Sequence, residues 1–288
     1  MAEQPDFKIR PMTSDDLAPA FGLSRAEGWN QTELDWRFLL MNPNNICLVA
    51  EYNNKVAGTA TALVHSMNLA WIGMVLVDRE MRGRGIGKML MVEIIRNLKK
   101  IESVKLDATP AGLPLYRKLG FIEECELHRM VNKSVSFKKF TEPDNCPVNI
   151  DSITFEEVLK LDKEIFGSSR SSLLNYLFQN YPEKAFHIIR SGKIDGYISG
   201  REGTRYSYIG PAVSFSAESG RLLIIKALKS LEGKPVALDV LHDKQDLITW
   251  LESAGFEKQR SFIRMYLKSN RYCGNLDHQY LISGPEFG

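Results

Sequence analysis

The chain has 288 residues, of which 44% are hydrophobic, and its formal net charge is only +2. Such a small charge does not favour nucleic acid or a membrane surface as a partner, and no apolar run reaches the ~20 residues of a membrane helix. The four cysteines are scattered without metal-ligand spacing, so we expect reduced thiols, no metal and a cytoplasmic protein. At about 100–200 residues per domain, the length predicts two domains.

The first half predicts strands and helices in alternation. A strand over residues 7–13 is followed by a helix that starts at Ser14 and by a second helix that begins near Gln31. The next elements are a hairpin over 45–66, a buried strand over 69–77, a glycine-rich loop, an amphipathic helix over 88–100, a strand over 103–108, a short helix over 113–119 and a strand over 125–133. This order favours an α+β fold with a mostly antiparallel mixed sheet.

The second half repeats this order more weakly. Several residue pairs recur at matching positions, which indicates an internal duplication. These are Gly-Phe at 120–121 and 255–256, Arg-Met at 129–130 and 264–265, and Leu-Asp at 106–107 and 238–239. Large repeats of this kind predict two similar domains, since solenoid units are much shorter. We therefore expect a first domain over 1–135, a polar linker over 136–149, a second domain over 150–268 and a tail over 269–288 without a clear pattern.

The glycine-rich loop predicts a phosphate site. It lies between an apolar strand and a helix, and its sequence from Arg82 to Lys88 is RGRGIGK. The first turn of a helix offers unsatisfied N–H groups and a partial positive charge. Glycines let a phosphate approach these groups closely, and the arginines and the lysine add positive charge. We therefore expect a ligand with a pyrophosphate.

Three kinds of phosphate loop compete for this stretch. A Walker A loop needs a hydroxyl residue after its Gly-Lys, but Met89 follows Lys88. A dinucleotide loop needs GxGxxG, and the spacing from Gly83 to Gly87 is one residue too short. The pattern [Arg/Gln]-x-x-Gly-x-[Gly/Ala] fits Arg82 to Gly87 fully. A plain turn between strand and helix would not need three glycines flanked by arginines.

On these residues the sequence resembles the GNAT superfamily of acyl-CoA N-acetyltransferases. The resemblance covers residues 7–134 and depends on the stretch 75–87, the amphipathic helix that follows it, and LYRKLGF at 115–121. The stretch 28–36 and the weaker second half are similar to a two-domain GNAT subfamily. The resemblance implies two tandem GNAT-like domains, with acetyl-CoA in the opening between splayed central strands of the first, 71–77 and 104–108.

The resemblance also implies roles for individual residues. Backbone groups of the strand would pair with the pantetheine arm, those of the loop would bind the pyrophosphate, and Thr109 stands where many members have an asparagine. Tyr116 holds the position of the tyrosine that protonates the leaving thiolate. The residues implied for the cofactor are Val75, Leu76, Val77, Arg82, Gly83, Arg84, Gly85, Ile86, Gly87, Lys88 and Thr109.

The sequence leaves open which group acts as the general base. Some family members use a glutamate on the strand before the loop, but residues 71–75 contain no carboxylate. Asp78 and Glu80 fit solvated loop charges better than a base. The remaining candidates are Asp107 and a chain of water molecules.

The second half lacks the corresponding features. Gly220 stands alone without an arginine pair, and Leu251 occupies the position that corresponds to the tyrosine. We therefore expect that residues 150–268 do not bind acetyl-CoA productively and instead shape the acceptor site or an interface.

The resemblance implies an N-acetyltransferase that moves an acetyl group to a primary amine by direct attack in a ternary complex. Trp29 and Asn30, in a loop that begins with glycine, are the candidates to contact the acceptor. A second domain that closes over the cleft favours a small-molecule amine. Three alternatives stay open: a protein lysine acetyltransferase, a module that binds acetyl-CoA without turnover, and an interaction scaffold. The sequence gives no prediction of oligomeric state.

Overall fold

A computed structural model describes residues 7–136 and 147–288. Its first half contains six strands and four helices in these ranges. The strands are β1 (Lys8–Pro11), β2 (Ile46–Tyr52), β3 (Lys55–Val64), β4 (Leu69–Val77), β5 (Ser103–Ala108) and β6 (Ile122–Asn132). The helices are α1 (Leu17–Ala26), α2 (Glu33–Met41), α3 (Ile86–Asn97) and α4 (Leu113–Lys118).

The second half follows the same order. Its strands are β7 (Val148–Asn149), β8 (Phe186–Arg190), β9 (Lys193–Arg201), β10 (Ser207–Ser214), β11 (Val236–Leu241), β12 (Glu257–Lys268) and β13 (Gln279–Leu281). Its helices are α5 (Ser152–Phe166), α6 (Ser171–Asn180), α7 (Ala217–Lys229) and α8 (Gln245–Ser253). The predicted linker ends in the short strand β7, and its residues 137–146, with Cys146, lie outside the described residues.

All thirteen described strands form one mixed sheet with the order β1-β2-β3-β4-β5-β12-β6-β11-β13-β10-β9-β8-β7. The two halves exchange their long last strands: β12 pairs with β5 of the first half, and β6 pairs with β11 of the second. From the repeated order of elements one expects the strand at residues 261–268 to close the sheet of the second half. This expectation is wrong, because β12 pairs with β5 and β6 of the first half. The strands β6 and β12 also pair with each other, which joins the halves through backbone hydrogen bonds.

Helices cover both faces of the sheet. Alternate residues of β2 show this, since Cys47 and Val49 point into one buried cluster and Leu48 and Ala50 into another. The first cluster is shared by α1 and α2 of the first half and α5 and α6 of the second. On the opposite face α3 packs on β2 to β4, and α7 packs on β8 to β10. None of the described helices is long and apolar enough to cross a membrane.

Each half contains a pair of parallel strands that separate. Strand β4 pairs with β5 only over Leu69–Trp71 and then diverges from it, as expected for these strands. Strand β10 pairs with β11 only over Ser207–Ile209. In the second half β13 fills the gap, because it pairs with both β10 and β11. The tail (residues 269–288) therefore has a structural role that its sequence pattern did not predict.

Candidate active site

The open edge of β4 begins at a β-bulge. Met74 has a φ of 51°, and the register with β3 shifts next to it. Two hydroxyls on β3 hold the bulge, since Thr59 donates to the carbonyl of Met74 at 2.8 Å and Thr61 donates to the carbonyl of Gly73 at 3.1 Å. Bulges of this kind redirect a strand and often lie beside active sites. Beyond the bulge, no strand of the described residues pairs with β4 on the side of β5, so this edge can pair with an extended ligand.

The glycine-rich loop connects the end of β4 to the start of α3. Gly83 and Gly85 have φ values of 78° and 82°, and an added Cβ at either would meet no atom within 4 Å. Left-handed backbone of this kind favours glycine. Gly85 is the N-cap of α3, and no side chain caps the helix. The first N–H groups of α3 therefore remain available to an anion.

The basic residues of the loop have different surroundings. The Arg82 guanidinium contacts the Glu27 carboxylate at 2.6 Å, and Arg79 contacts the same carboxylate at 2.8 Å. Arg84 and Lys88 are exposed, and neither has an ion-pair partner among residues 7–136 and 147–288. Arg82 thus fixes the loop to the end of α1, while Arg84 and Lys88 are free to meet a phosphate.

Tyr116 lies on α4, beside the separated strands. Its ring packs on Gly112, where an added Cβ would lie 2.7 Å from the ring carbon Cε2. Gly112 is therefore required for this position of the ring, although the sequence reasoning did not single it out. Burial raises the pKa of Tyr116 to about 12, which keeps its hydroxyl protonated. Thr109 stands before α4, where its hydroxyl accepts from the backbone N–H of Gly112 at 3.3 Å.

Asp107 is fully engaged by an arginine of the other half. Arg264 on β12 donates to its two carboxylate oxygens at 2.9 and 3.2 Å. The same arrangement recurs in the second half, where Arg129 on β6 donates to Asp239 at 2.8 and 2.6 Å. The strand exchange explains why each arginine meets the aspartate of the opposite half. This pairing suits a carboxylate that holds strands together better than one that receives a proton.

One cavity lies between the open strands and α4. Its walls come from the open parts of β4 and β5, from α4, from the α1–α2 connection, from β6 and β12, and from the tail. Residues on these walls include Trp29, Gln31, Gly73, Asp107, Tyr116 and Glu286. Thr109 and Val75 also line the cavity. The site is thus built by both halves of the chain.

The two predicted acceptor residues differ in position. Trp29 lines the cavity. Asn30 instead fixes the connection between β9 and β10: its amide nitrogen donates to the carbonyl of Tyr206 at 3.0 Å, and its oxygen accepts from the backbone N–H groups of Arg205 and Tyr206. The structure therefore brings Trp29, but not the Asn30 side chain, to the cavity.

Comparisons with known proteins agree with this architecture. Residues 11–121 match the model of the acetyltransferase (GNAT) family, and residues 158–281 match that of an acetyltransferase (GNAT) domain. The chain is 28% identical to holothin acyltransferase of Pseudoalteromonas sp. (strain SANK 73390) over 215 residues, which cover 74% of this chain and 72% of the relative. It is 26% identical to the uncharacterized N-acetyltransferase YitH of Bacillus subtilis (strain 168), with 66% and 67% covered.

Solved structures show the same fold. A protein of Pyrococcus horikoshii, described as a candidate acetyltransferase, superimposes with a TM-score of 0.82 at 21% identity, over 98% of this chain and 96% of that one. A tandem GNAT protein from the clavulanic acid biosynthesis pathway gives a TM-score of 0.65 at 16% identity, over 91% and 98%. The chain is an acyltransferase of the GNAT acetyltransferase family, with two GNAT domains in tandem.

Proposed function

We propose that the first half binds acetyl-CoA and transfers its acetyl group to a primary amine of a small molecule. The observation that carries the proposal is the open edge of β4, which leads to the uncapped start of α3 at Gly85 with Tyr116 in the adjoining cavity. The edge suits the extended pantetheine arm, and the helix start suits a diphosphate. Residues 82–88 and the backbone of 75–77 would make these contacts.

The chemistry proposed is direct attack in a ternary complex. The neutral amine nitrogen forms a bond to the acetyl carbon, the bond from that carbon to sulfur breaks, and the thiolate takes a proton from the Tyr116 hydroxyl. The acylated nitrogen then loses its surplus proton to solvent, and Tyr116 takes a proton back from solvent. A tyrosine with a pKa raised to about 12 carries that proton at every pH at which the protein would be assayed. Asp107 acts as a positioning residue, since Arg264 engages both of its oxygens.

The second half serves the site without binding a second acetyl-CoA. Strand β13 occupies the gap between β10 and β11, so a pantetheine arm would have to displace it. The counterpart of Tyr116 is Leu251, which lies on α8 and points into the buried core. The contribution of the second half to catalysis is the wall that it adds to the cavity of the first.

The wall that the second half adds to the cavity favours a small acceptor over a protein lysine. Residues of β12 and the tail, including Phe262 and Pro285, line the cavity together with Tyr116 of α4. A lysine on a folded protein would need an open groove for the flanking peptide.

The direct test is thiol release from acetyl-CoA by the intact chain with a panel of small primary amines and lysine-containing peptides. We expect release with at least one small amine and none with the peptides. Binding of acetyl-CoA without release would indicate a module without turnover, and release with peptides alone would indicate a protein acetyltransferase; either result would overturn the proposal.

A further inference from the structure

Residues 69–77 of strand β4 contain no carboxylate, but the backbone of a glutamate in the tail, Glu286, lies directly over the strand. An added Cβ at Gly73 would lie 2.8 Å from the Cα of Glu286 and 3.0 Å from its carbonyl oxygen. Real Cβ contacts are longer, so only glycine at position 73 leaves room for the tail at this point. Glu286 thus stands above the bulge where β4 leaves β5, on the wall of the cavity that also holds Tyr116.

The first half fixes this part of the tail in place. Trp71 on β4 donates its indole N–H to the carbonyl of Pro285 at 3.2 Å. His65, at the end of β3, donates from Nε2 to the carbonyl of Phe287 at 2.8 Å. Pro285 and Phe287, whose carbonyls accept these hydrogen bonds, are the two neighbours of Glu286 in the chain, and the Phe287 side chain is fully buried. The backbone around Glu286 is therefore held on both sides by the domain whose site it enters.

The Glu286 carboxylate shares its nearest guanidinium with a second buried carboxylate. It forms an ion pair with Arg201, and the same guanidinium lies 3.2 Å from Asp35. One cation thus serves two buried carboxylates. The other arginine that faces Glu286, Arg129, is already paired with Asp239. Burial raises the pKa of Glu286, while Arg201 opposes that rise, so the carboxylate holds a proton more strongly than an exposed glutamate.

A second polar group in the cavity has no partner. The oxygen Oε1 of Gln31 is buried and accepts no hydrogen bond from any residue in the described part of the chain. Gln31 is 5% exposed and lines the same cavity as Glu286. An unsatisfied buried oxygen beside a carboxylate that shares its guanidinium with Asp35 suits a ligand that brings both N–H donors and positive charge. An ammonium group provides both.

We propose that Glu286, supplied by the tail of the second half, is the general base for the amine that attacks in the first half. The ammonium of the acceptor binds beside the Gln31 side chain, which hydrogen-bonds to Glu286 and has an Oε1 left free by the described residues, and gives a proton to the Glu286 carboxylate. The neutral nitrogen then bonds to the acetyl carbon, the thiolate leaves with the Tyr116 proton, and the second proton of the product nitrogen passes to solvent. This inference rests on the proposed function.

The test compares Glu286→Gln with the wild-type chain in thiol release from acetyl-CoA. The probes are benzylamine, which is protonated at neutral pH, and aniline, which is neutral there, together with any better acceptor from the amine panel. We expect Glu286→Gln to lower kcat about 100-fold for the protonated amine, within the usual range for a general base. For aniline, which needs no initial deprotonation, we expect a loss below about tenfold. The Kd of acetyl-CoA, from titration calorimetry, changes by less than about twofold.

Asp35→Asn is the matched control, because it removes the other carboxylate from Arg201 without touching the cavity wall. Protonation of a glutamate base predicts that kcat falls as the pH is lowered, which we call the acid limb. Asp35→Asn should keep this acid limb and should affect both amines equally. Glu286→Asp keeps a carboxylate and should keep the acid limb at reduced kcat. The groups that face Glu286 and shape its titration are Gln31, Asp35, Arg129, Arg201 and Tyr208.

The outcomes separate the two proposals. A wild-type chain that binds no acetyl-CoA, or releases no thiol with any amine, overturns the proposed function and the base together. A wild-type chain that is active, with Glu286→Gln equally active or equally impaired for both amines, overturns the base alone. Loss of the acid limb in Asp35→Asn would likewise assign the titration to another group.

Discussion

Gly85 offers a sharp test of the phosphate site, because the same substitution can be made at a glycine with the same backbone. A glutamate at position 85 places a carboxylate at the uncapped start of α3, where the account puts the diphosphate. At about 5 Å, two negative charges repel by about 1–3 kcal/mol for an effective dielectric between water and a protein surface. Loss of close approach to the helix N–H groups adds about 1 kcal/mol.

Together these effects predict a loss of about 3 kcal/mol, which corresponds to a roughly 100-fold higher Kd for acetyl-CoA. The backbone strain of a side chain at a φ of 82° adds about 1–2 kcal/mol to the cost of folding. Gly192→Glu controls for that strain, since Gly192 has a φ of 76°, lies exposed in the turn between β8 and β9, and has open space around it.

Titration calorimetry gives the Kd of acetyl-CoA for the wild type and both variants, and thermal unfolding gives their stability. We expect similar destabilisation in the two variants but weaker binding only in Gly85→Glu. Binding in Gly85→Glu that matches the wild type, or equal weakening in Gly192→Glu, would refute the assignment of the diphosphate to the start of α3.

Two further predictions concern the acid and the strand exchange. Tyr116→Phe should lower kcat about 100-fold, while the Kd of acetyl-CoA changes by less than about twofold. Because the pKa of Tyr116 is raised to about 12, wild-type kcat should not fall as the pH rises through 10. A fall of kcat near pH 10, or full activity in the variant, would show that Tyr116 is not the acid. Arg264→Met, which leaves Asp107 buried without its partner, should cost about 3–5 kcal/mol of unfolding free energy in urea denaturation. Arg117→Met, from an exposed pair with Glu123, should cost at most about 1 kcal/mol; equal costs would contradict a structural role for the buried pair.

Local pattern was enough to predict most elements of the first half. The predicted strands 69–77 and 103–108 coincide with β4 and β5. The first is a nearly continuous apolar run, which is typical of a strand buried on both faces. Helix α3 begins at Ile86, two residues before the predicted start, since Gly85 in a left-handed conformation acts as its N-cap. Strand β13 was missed because three residues are too few to show alternation.

The strand exchange could not be predicted from local pattern, because it changes which strands are neighbours and not where they begin or end. A signal was nevertheless present in the recurring Leu-Asp and Arg-Met pairs. Once Asp107 meets Arg264 and Asp239 meets Arg129, the repeated spacing is explained by two equivalent ion pairs across the exchange. The recurring pairs indicated a duplication, but only the sheet order assigns each arginine to the opposite half.

The candidate site was predictable where it depends on one continuous stretch. The loop from Arg82 to Lys88 and Tyr116 on α4 lie beside the open strands, and their roles stay predictions until ligand binding is measured. Glu286 was missed because it is distant in sequence and lies in a tail without pattern. The glycine at position 73 was the one indication, since a glycine inside a buried strand often marks a close approach of another segment.

The central claim is that the first half of the chain binds acetyl-CoA and the second half does not. Titration calorimetry of the intact chain with acetyl-CoA measures this directly through the stoichiometry. We expect one acetyl-CoA bound per chain, with binding weakened by Gly85→Glu. No binding, two bound per chain, or one bound per chain that is unaffected by Gly85→Glu would contradict it.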